Sequence, residues 1–85
     1  MEIVFSPHAL EQLQYWKKSG NKKVIEKIRQ LIEEIQVTPF EGIGKPEPLR
    51  HNWTGYWSRR ITVEHRLVYK VESDIIYIAQ LRYHY

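Results

Sequence analysis

The chain has 85 residues, no cysteine, 42% hydrophobic and 27% charged residues, which fits one small globular domain over 1–85 and excludes a disordered or collagen-like chain, disulfides, zinc-thiolate sites and thiol nucleophiles. No apolar run reaches the length of a membrane span and no signal-peptide pattern opens the chain, so no membrane association and a cytoplasmic location are expected. The net charge of +3 is uneven: Lys and Glu cancel up to Ile43, and the excess lies beyond it, where Arg and aromatic residues gather. Arginine forks match phosphate oxygens and rings stack on unpaired bases, so the second half suits single-stranded nucleic acid.

Met1 to Phe5 reads as a short strand, followed by Ser6 as a helix N-cap and Pro7 at the first helical position. Ala9, Leu13 and Trp16 recur at helical spacing until Gly20. A second helix starts after Asn21, carries the stripe Val24, Ile25, Ile28, Leu31, Ile32 and Ile35, and stops before Thr38-Pro39. Prolines and glycines then crowd Pro39 to Pro48 into a stiff loop that is neither helix nor central strand. Three β-like runs follow, Tyr56 to Val63, Arg66 to Val71 and Ile75 to Leu81, the last continuing toward Tyr85. The expected fold is α+β: an N-terminal strand, then a two-helix hairpin packed on one face of an antiparallel sheet. Three-residue turns centred on Glu64 and Ser73 would pair Thr62 with Arg66 and Val71 with Ile75. Ile61, Leu67, Tyr69, Val71, Ile75, Tyr77, Ala79 and Leu81 then face the core, and Arg60, Arg66, Lys70, Ile76, Ile78, Gln80 and His84 face away from it.

Several residues have the chemistry of RNA cleavage. Glu47 stands between Pro46 and Pro48, whose fixed φ angles hold a carboxylate able to take a proton from a ribose 2′-hydroxyl. Arg66 can neutralise charge on a phosphate as it becomes pentacoordinate. An imidazole suits a general acid, which makes His84 a candidate, but straight continuation of its strand would put it roughly 13 Å from Gln80, so the tail must bend back or the substrate must span the gap. Of Arg59 and Arg60, adjacent residues on a strand, only one can join a phosphate-binding face. His8, His51 and His65 show no metal-ligand spacing, so no metal or cofactor is expected. On residues alone, plain RNA binding and cleavage stand equal.

The segments TPFEG (38–42), GKPEPL (44–49), GYWSRRIT (55–62), EHRLVY (64–69) and the terminal RYHY (82–85) closely resemble the Txe/YoeB family of bacterial toxins, in order and over essentially the whole chain. The resemblance implies a RelE-like, microbial-ribonuclease-like fold and a metal-independent, ribosome-dependent endonuclease that cuts mRNA in the A site by 2′-hydroxyl attack. It implies Glu47 as general base, Arg66 as transition-state stabiliser, His84 as general acid, Tyr85 as support for substrate placement, and Lys45, Arg50, Arg59 and Arg60 as RNA contacts. Arg50 stands where the family pattern has lysine and Trp53 is bulkier than the usual residue there. The implied partners are the ribosome with its mRNA, a YefM-like antitoxin, a second copy in a homodimer, and operator DNA only through the antitoxin complex. Two alternatives stay open: a non-catalytic RNA- or ribosome-binding inhibitor of translation, and a DNA-binding autorepressor acting with its antitoxin.

Overall fold

The computed structural model describes every residue from Met1 to Tyr85. Strand β1 (Glu2–Phe5) leads into α1 (Pro7–Lys18) and α2 (Lys22–Val37), followed by β2 (Glu47–Pro48), a short 3₁₀ turn (His51–Trp53), β3 (Trp57–Arg60), β4 (Arg66–Glu72) and β5 (Ile75–Gln80). The helices begin where side chains cap them: Ser6 Oγ accepts from Ala9 N at 3.0 Å, and Asn21 Oδ1 accepts from Val24 N at 3.3 Å. Ser6 also donates to the Ala79 carbonyl at 3.0 Å, tying the start of α1 to the last strand.

The five strands form one sheet in the order β1-β5-β4-β3-β2, antiparallel except that β1 runs parallel to β5. Both helices pack on one face. Val24, Ile28, Leu31 and Ile35 of α2, with Ala9 and Trp16 of α1, meet Ile61, Leu67, Tyr69, Ile76, Ile78 and Leu81 from the sheet side in the main apolar cluster. Fully burying one such aliphatic side chain contributes about 1.5–3 kcal/mol, so this stripe is what makes α2 stable.

The register corrects the sequence expectation twice. Arg60, not Thr62, pairs with Arg66. That shift of two residues leaves every side chain on its expected face. Between β4 and β5 the turn has only two central residues, Ser73 and Asp74, with φ of 51° and 63°, the left-handed pair a type I′ hairpin needs. Val71 therefore pairs with Ile76, not Ile75, and this one-residue slip turns Ile76 and Ile78 into the core and Tyr77 away from it. A bulge then leaves Ala79 without a partner between the Tyr69–Ile78 and Val68–Gln80 pairs, which restores Gln80 to the outer face and Leu81 to the core.

A third correction concerns Arg59. It points into the core beside Leu67 and is fully buried, so it does not contact RNA. All five guanidinium hydrogens have acceptors: Tyr69 Oη at 3.2 Å, Glu34 Oε1 at 3.1 Å, and the carbonyls of Ile43 at 3.2 Å, Thr38 at 2.6 Å and Glu41 at 2.9 Å. The loop after α2 is wound onto this one side chain. Gly42 (φ 114°) lies so close to Glu34 that a Cβ there would sit 1.8 Å from Oε1, and Gly44 (φ 80°) would place one 2.9 Å from Leu31 Cδ2.

Arg59→Met should therefore lower unfolding free energy by about 3–5 kcal/mol, because it strands Glu34 and three carbonyls without their donor. Urea or guanidinium titration of the purified protein reads this as a fall in midpoint at unchanged slope. A loss below about 1 kcal/mol would mean that the loop does not depend on Arg59.

Candidate active site

The Arg59 loop delivers the chain to the sheet edge. The Gly44 carbonyl accepts from Arg60 N at 2.7 Å, Lys45 takes a left-handed φ of 50°, and Pro46 starts the approach to β2. Glu47 then pairs with Ser58 and Pro48 with Trp57 at the outermost strand, a place where proline's missing N–H does no damage. Leu49, just past the strand, is only 7% exposed, whereas the Glu47 side chain stands in solvent.

Beyond β2, Arg50 and the 3₁₀ turn curl round to form an open cleft of about 770 Å³, walled by Glu47, Arg50, His51, Asn52, Trp53 and Tyr85 among others. Arg66 opens β4 on the same outer sheet face. It is only 7% exposed, and its Nη1 donates to the carbonyls of Thr62 (2.9 Å), Val63 (3.0 Å) and His65 (3.2 Å). Nε and Nη2 have no protein acceptor, so one edge of the fork stays free for an anion. Arg60, directly opposite on β3, is exposed.

The C-terminal tail does bend back. At Tyr83 φ is 65°, the Tyr83 carbonyl accepts from Arg66 N at 3.0 Å, and the Gln80 amide donates to the carbonyls of Tyr83 (3.3 Å) and His84 (2.9 Å). The reversal brings Tyr85 to the edge strand, where its hydroxyl donates to Glu47 Oε1 at 2.8 Å. The hydrogen bond to Glu47, then burial, then Glu47's negative charge raise the Tyr85 pKa above the usual 10.0, while Ser58 and the Arg66 charge pull it down. The hydroxyl therefore remains a donor across neutral pH. Its bond to Glu47 is fully present below pH 10.0 and is lost as pH climbs through the raised value. The His84 ring is exposed, 5.3 Å from the Tyr85 ring, and makes no hydrogen bond within the chain.

Of the residues singled out from sequence, Glu47, Arg50 and Tyr85 share the cleft. Arg66, Arg60 and His84 lie beside it, through the strand pairing and the tail. Lys45 is exposed on the approach loop and does not line the cleft. Arg59 is excluded by burial. Sequence reasoning missed Gln80 and His65 as tail-holding residues. Gln80 carried a faint signal, as the one polar side chain within the run Ile75 to Leu81. His65 carried none, because its partner is the main chain of Tyr83.

The family model described as YoeB-like toxin of bacterial type II toxin-antitoxin system matches residues 5–85. Toxin YoeB of Escherichia coli K12 is 51% identical over 85 residues, covering all of both chains. Among solved structures, a YoeB/ParE toxin from Agrobacterium tumefaciens superimposes with a TM-score of 0.96 at 41% identity over the whole of both chains. Staphylococcus aureus YoeB, solved as a heterotetrameric YoeB-YefM complex, matches with a TM-score of 0.91 at 49% identity over 100% of this chain and 98% of that one. A YoeB dimer from Staphylococcus aureus matches with a TM-score of 0.92, at 49% identity over 100% of this chain and 98% of that one.

Glu47→Gln should bring the Tyr85 pKa down toward the ordinary value, since a neutral amide oxygen is a weaker acceptor than the carboxylate whose hydrogen bond chiefly raises it, and the negative charge is gone as well. Carbon-13 shifts of the tyrosine ring carbons followed through alkaline pH would read this residue by residue. An unmoved Tyr85 titration would show that the tail does not reach Glu47 in solution.

Proposed function

Because the chain belongs to the YoeB-like toxins of bacterial type II toxin-antitoxin systems, we propose that it is a ribosome-dependent mRNA endonuclease that cuts the message in the ribosomal A site. The observation that carries this reading is the 2.8 Å bond from Tyr85 to Glu47, which seats the tail on an edge-strand carboxylate beside the free edge of Arg66. Tyr85 occupies one carboxylate oxygen and orients the group, leaving Oε2 for the substrate.

In the proposed reaction Glu47 removes the proton of a ribose 2′-hydroxyl as O2′ bonds to the adjacent phosphorus. Arg66, through Nε and Nη2, and Arg60 balance the charge growing on the non-bridging oxygens. The P–O5′ bond breaks as His84, protonated, gives its proton to the leaving O5′. The products are a 2′,3′-cyclic phosphate and a 5′-hydroxyl, so no water and no cofactor enters the balance. Arg50 and Lys45 supply cations along the strand's approach. The ribosome supplies the orientation of the message that so open a cleft cannot. On the same reading a YefM-like antitoxin neutralises the toxin, a second copy pairs with it, operator DNA is reached only through the antitoxin complex, and the site of action is the cytoplasm; the Staphylococcus aureus complex and dimer support the first two.

Primer extension on a translated message in a purified translation system tests the reading. New 5′ ends inside A-site codons should appear only with ribosomes present. They should fall about 10²–10⁴-fold in Glu47→Gln and His84→Ala, and about 10²–10³-fold in Arg66→Ala. Blocked translation with intact message, unchanged in these variants, would instead make the protein a non-catalytic ribosome binder.

A further inference from the structure

We propose that His65 and Gln80 are positioning residues that hold the C-terminal tail folded back, so that His84 and Tyr85 meet Glu47 and Arg66. The proposal rests on the nuclease reading for its kinetic consequence, but the folded tail stands on geometry alone. Tyr83 has a left-handed φ of 65°, a conformation that a bulky side chain adopts only when its surroundings impose it. Successive residues impose it here. His65 Nδ1 accepts the Tyr83 N–H at 2.8 Å, and the next residue's own N–H, that of Arg66, donates to the Tyr83 carbonyl at 3.0 Å.

The start of β4 thus holds both main-chain groups of Tyr83 and, from the same backbone, projects the Arg66 guanidinium. Gln80, 7% exposed, adds a second clasp by spanning the carbonyls of Tyr83 and His84 with one amide nitrogen. The His65 ring is itself fixed, standing edge-on to the buried Trp16 indole at a centroid distance of 4.9 Å and an angle of 83°. Since a backbone N–H can only donate, Nδ1 must be the acceptor, and the His65 ring is neutral with its proton on Nε2. This gives His65 a role distinct from that of His84, which must carry a proton to give away.

The consequence is geometric. Without the clasp, Tyr83 is released from its left-handed conformation and the tail resumes an extended course, carrying His84 away from the edge strand. Misplacement of a reacting group by about 1 Å costs on the order of 10²-fold in rate.

The test compares single-turnover cleavage of ribosome-bound message by His65→Ala, His65→Asn, Gln80→Ala and wild type, with backbone amide relaxation measured on each free toxin. His65→Ala and Gln80→Ala should lower the cleavage step by about 10–100-fold with little change in the concentration for half-saturation, because ribosome binding is untouched. His65→Asn, whose Oδ1 lies near the position of Nδ1, should recover most of the loss, a rescue that a merely space-filling role would not give. In the relaxation data the amides of residues 83–85 should be ordered in wild type and mobile in His65→Ala. Wild-type cleavage by His65→Ala, failure of Asn to outperform Ala, or a mobile tail in the wild-type toxin would each overturn the proposal. A wild-type toxin that makes no cuts but keeps an ordered tail, loosened in His65→Ala, would sink the nuclease reading and leave the clasp standing. Should His65→Ala not fold, His65→Asn and Gln80→Ala carry the same comparison.

Discussion

Arg59 occupies a core position on β3 beside Leu67, where an apolar side chain would ordinarily sit. A buried guanidinium is tolerable only when every donor finds an acceptor and its charge is balanced, and here Glu34, Tyr69 and three loop carbonyls meet that demand. The Tyr69 hydroxyl passes the constraint on by donating to the Pro39 carbonyl. A segment with almost no regular structure is thereby held as tightly as a strand. Its direction at Gly44 decides where Pro46, Glu47 and Pro48 enter the sheet edge, so the position of the proposed base is inherited from a side chain that never touches substrate.

The outer face shows a different kind of preparation. Arg60 and Arg66 stand directly opposite each other, a like-charge pairing that costs stability in a sheet. Three carbonyls around Arg66 Nη1 offset part of that cost on one side only. No ion pair joins either arginine to Glu47. Such a pair would have neutralised the proposed base and stabiliser together. Instead the carboxylate accepts from the neutral Tyr85 hydroxyl and the positive pair stays free for an anion, the preorganisation that the proposed reaction requires.

Local signals in the chain spoke clearly wherever local chemistry decides the outcome. Ser6 and Asn21 mark helix starts because their side chains complete backbone bonds three residues on, and the α2 stripe declares its buried face by period alone. The β4–β5 register was not legible, because Ser-Asp occupies a type I′ turn without the Gly or Asn that would announce it, and only the later bulge returned Gln80 and Leu81 to their expected faces. Alternation correctly allowed only one of Arg59 and Arg60 onto the outer face. It could not say which, since burying Arg59 depends on acceptors 16 to 25 residues away. In the candidate site, Glu47 was legible through its flanking prolines, whereas the return of the tail rests on contacts between segments far apart in sequence.

Those contacts extend to a helix with no residue in the site. Gln12 and Trp16 of α1 clasp Leu81, one accepting its N–H and the other donating to its carbonyl. The Arg82 guanidinium lies 3.4 Å from the Tyr15 ring centroid and 4.4 Å from that of Tyr83. Its buried Nε has no acceptor, so the ring faces are what compensate that charge. The tail is therefore fixed at Leu81 and Arg82 by the helical layer and at Tyr83 and His84 by the sheet. Between these grips the chain has no freedom to choose another path, and the left-handed turn at Tyr83 is the geometric result. The two groups proposed for proton transfer, Glu47 in the cleft and His84 beside it, are placed along separate routes, one from the Arg59 loop and one from the α1 platform. The routes meet at an exposed hydrogen bond from Tyr85 to Glu47. A change in either layer would therefore alter the spacing of the proposed base and acid.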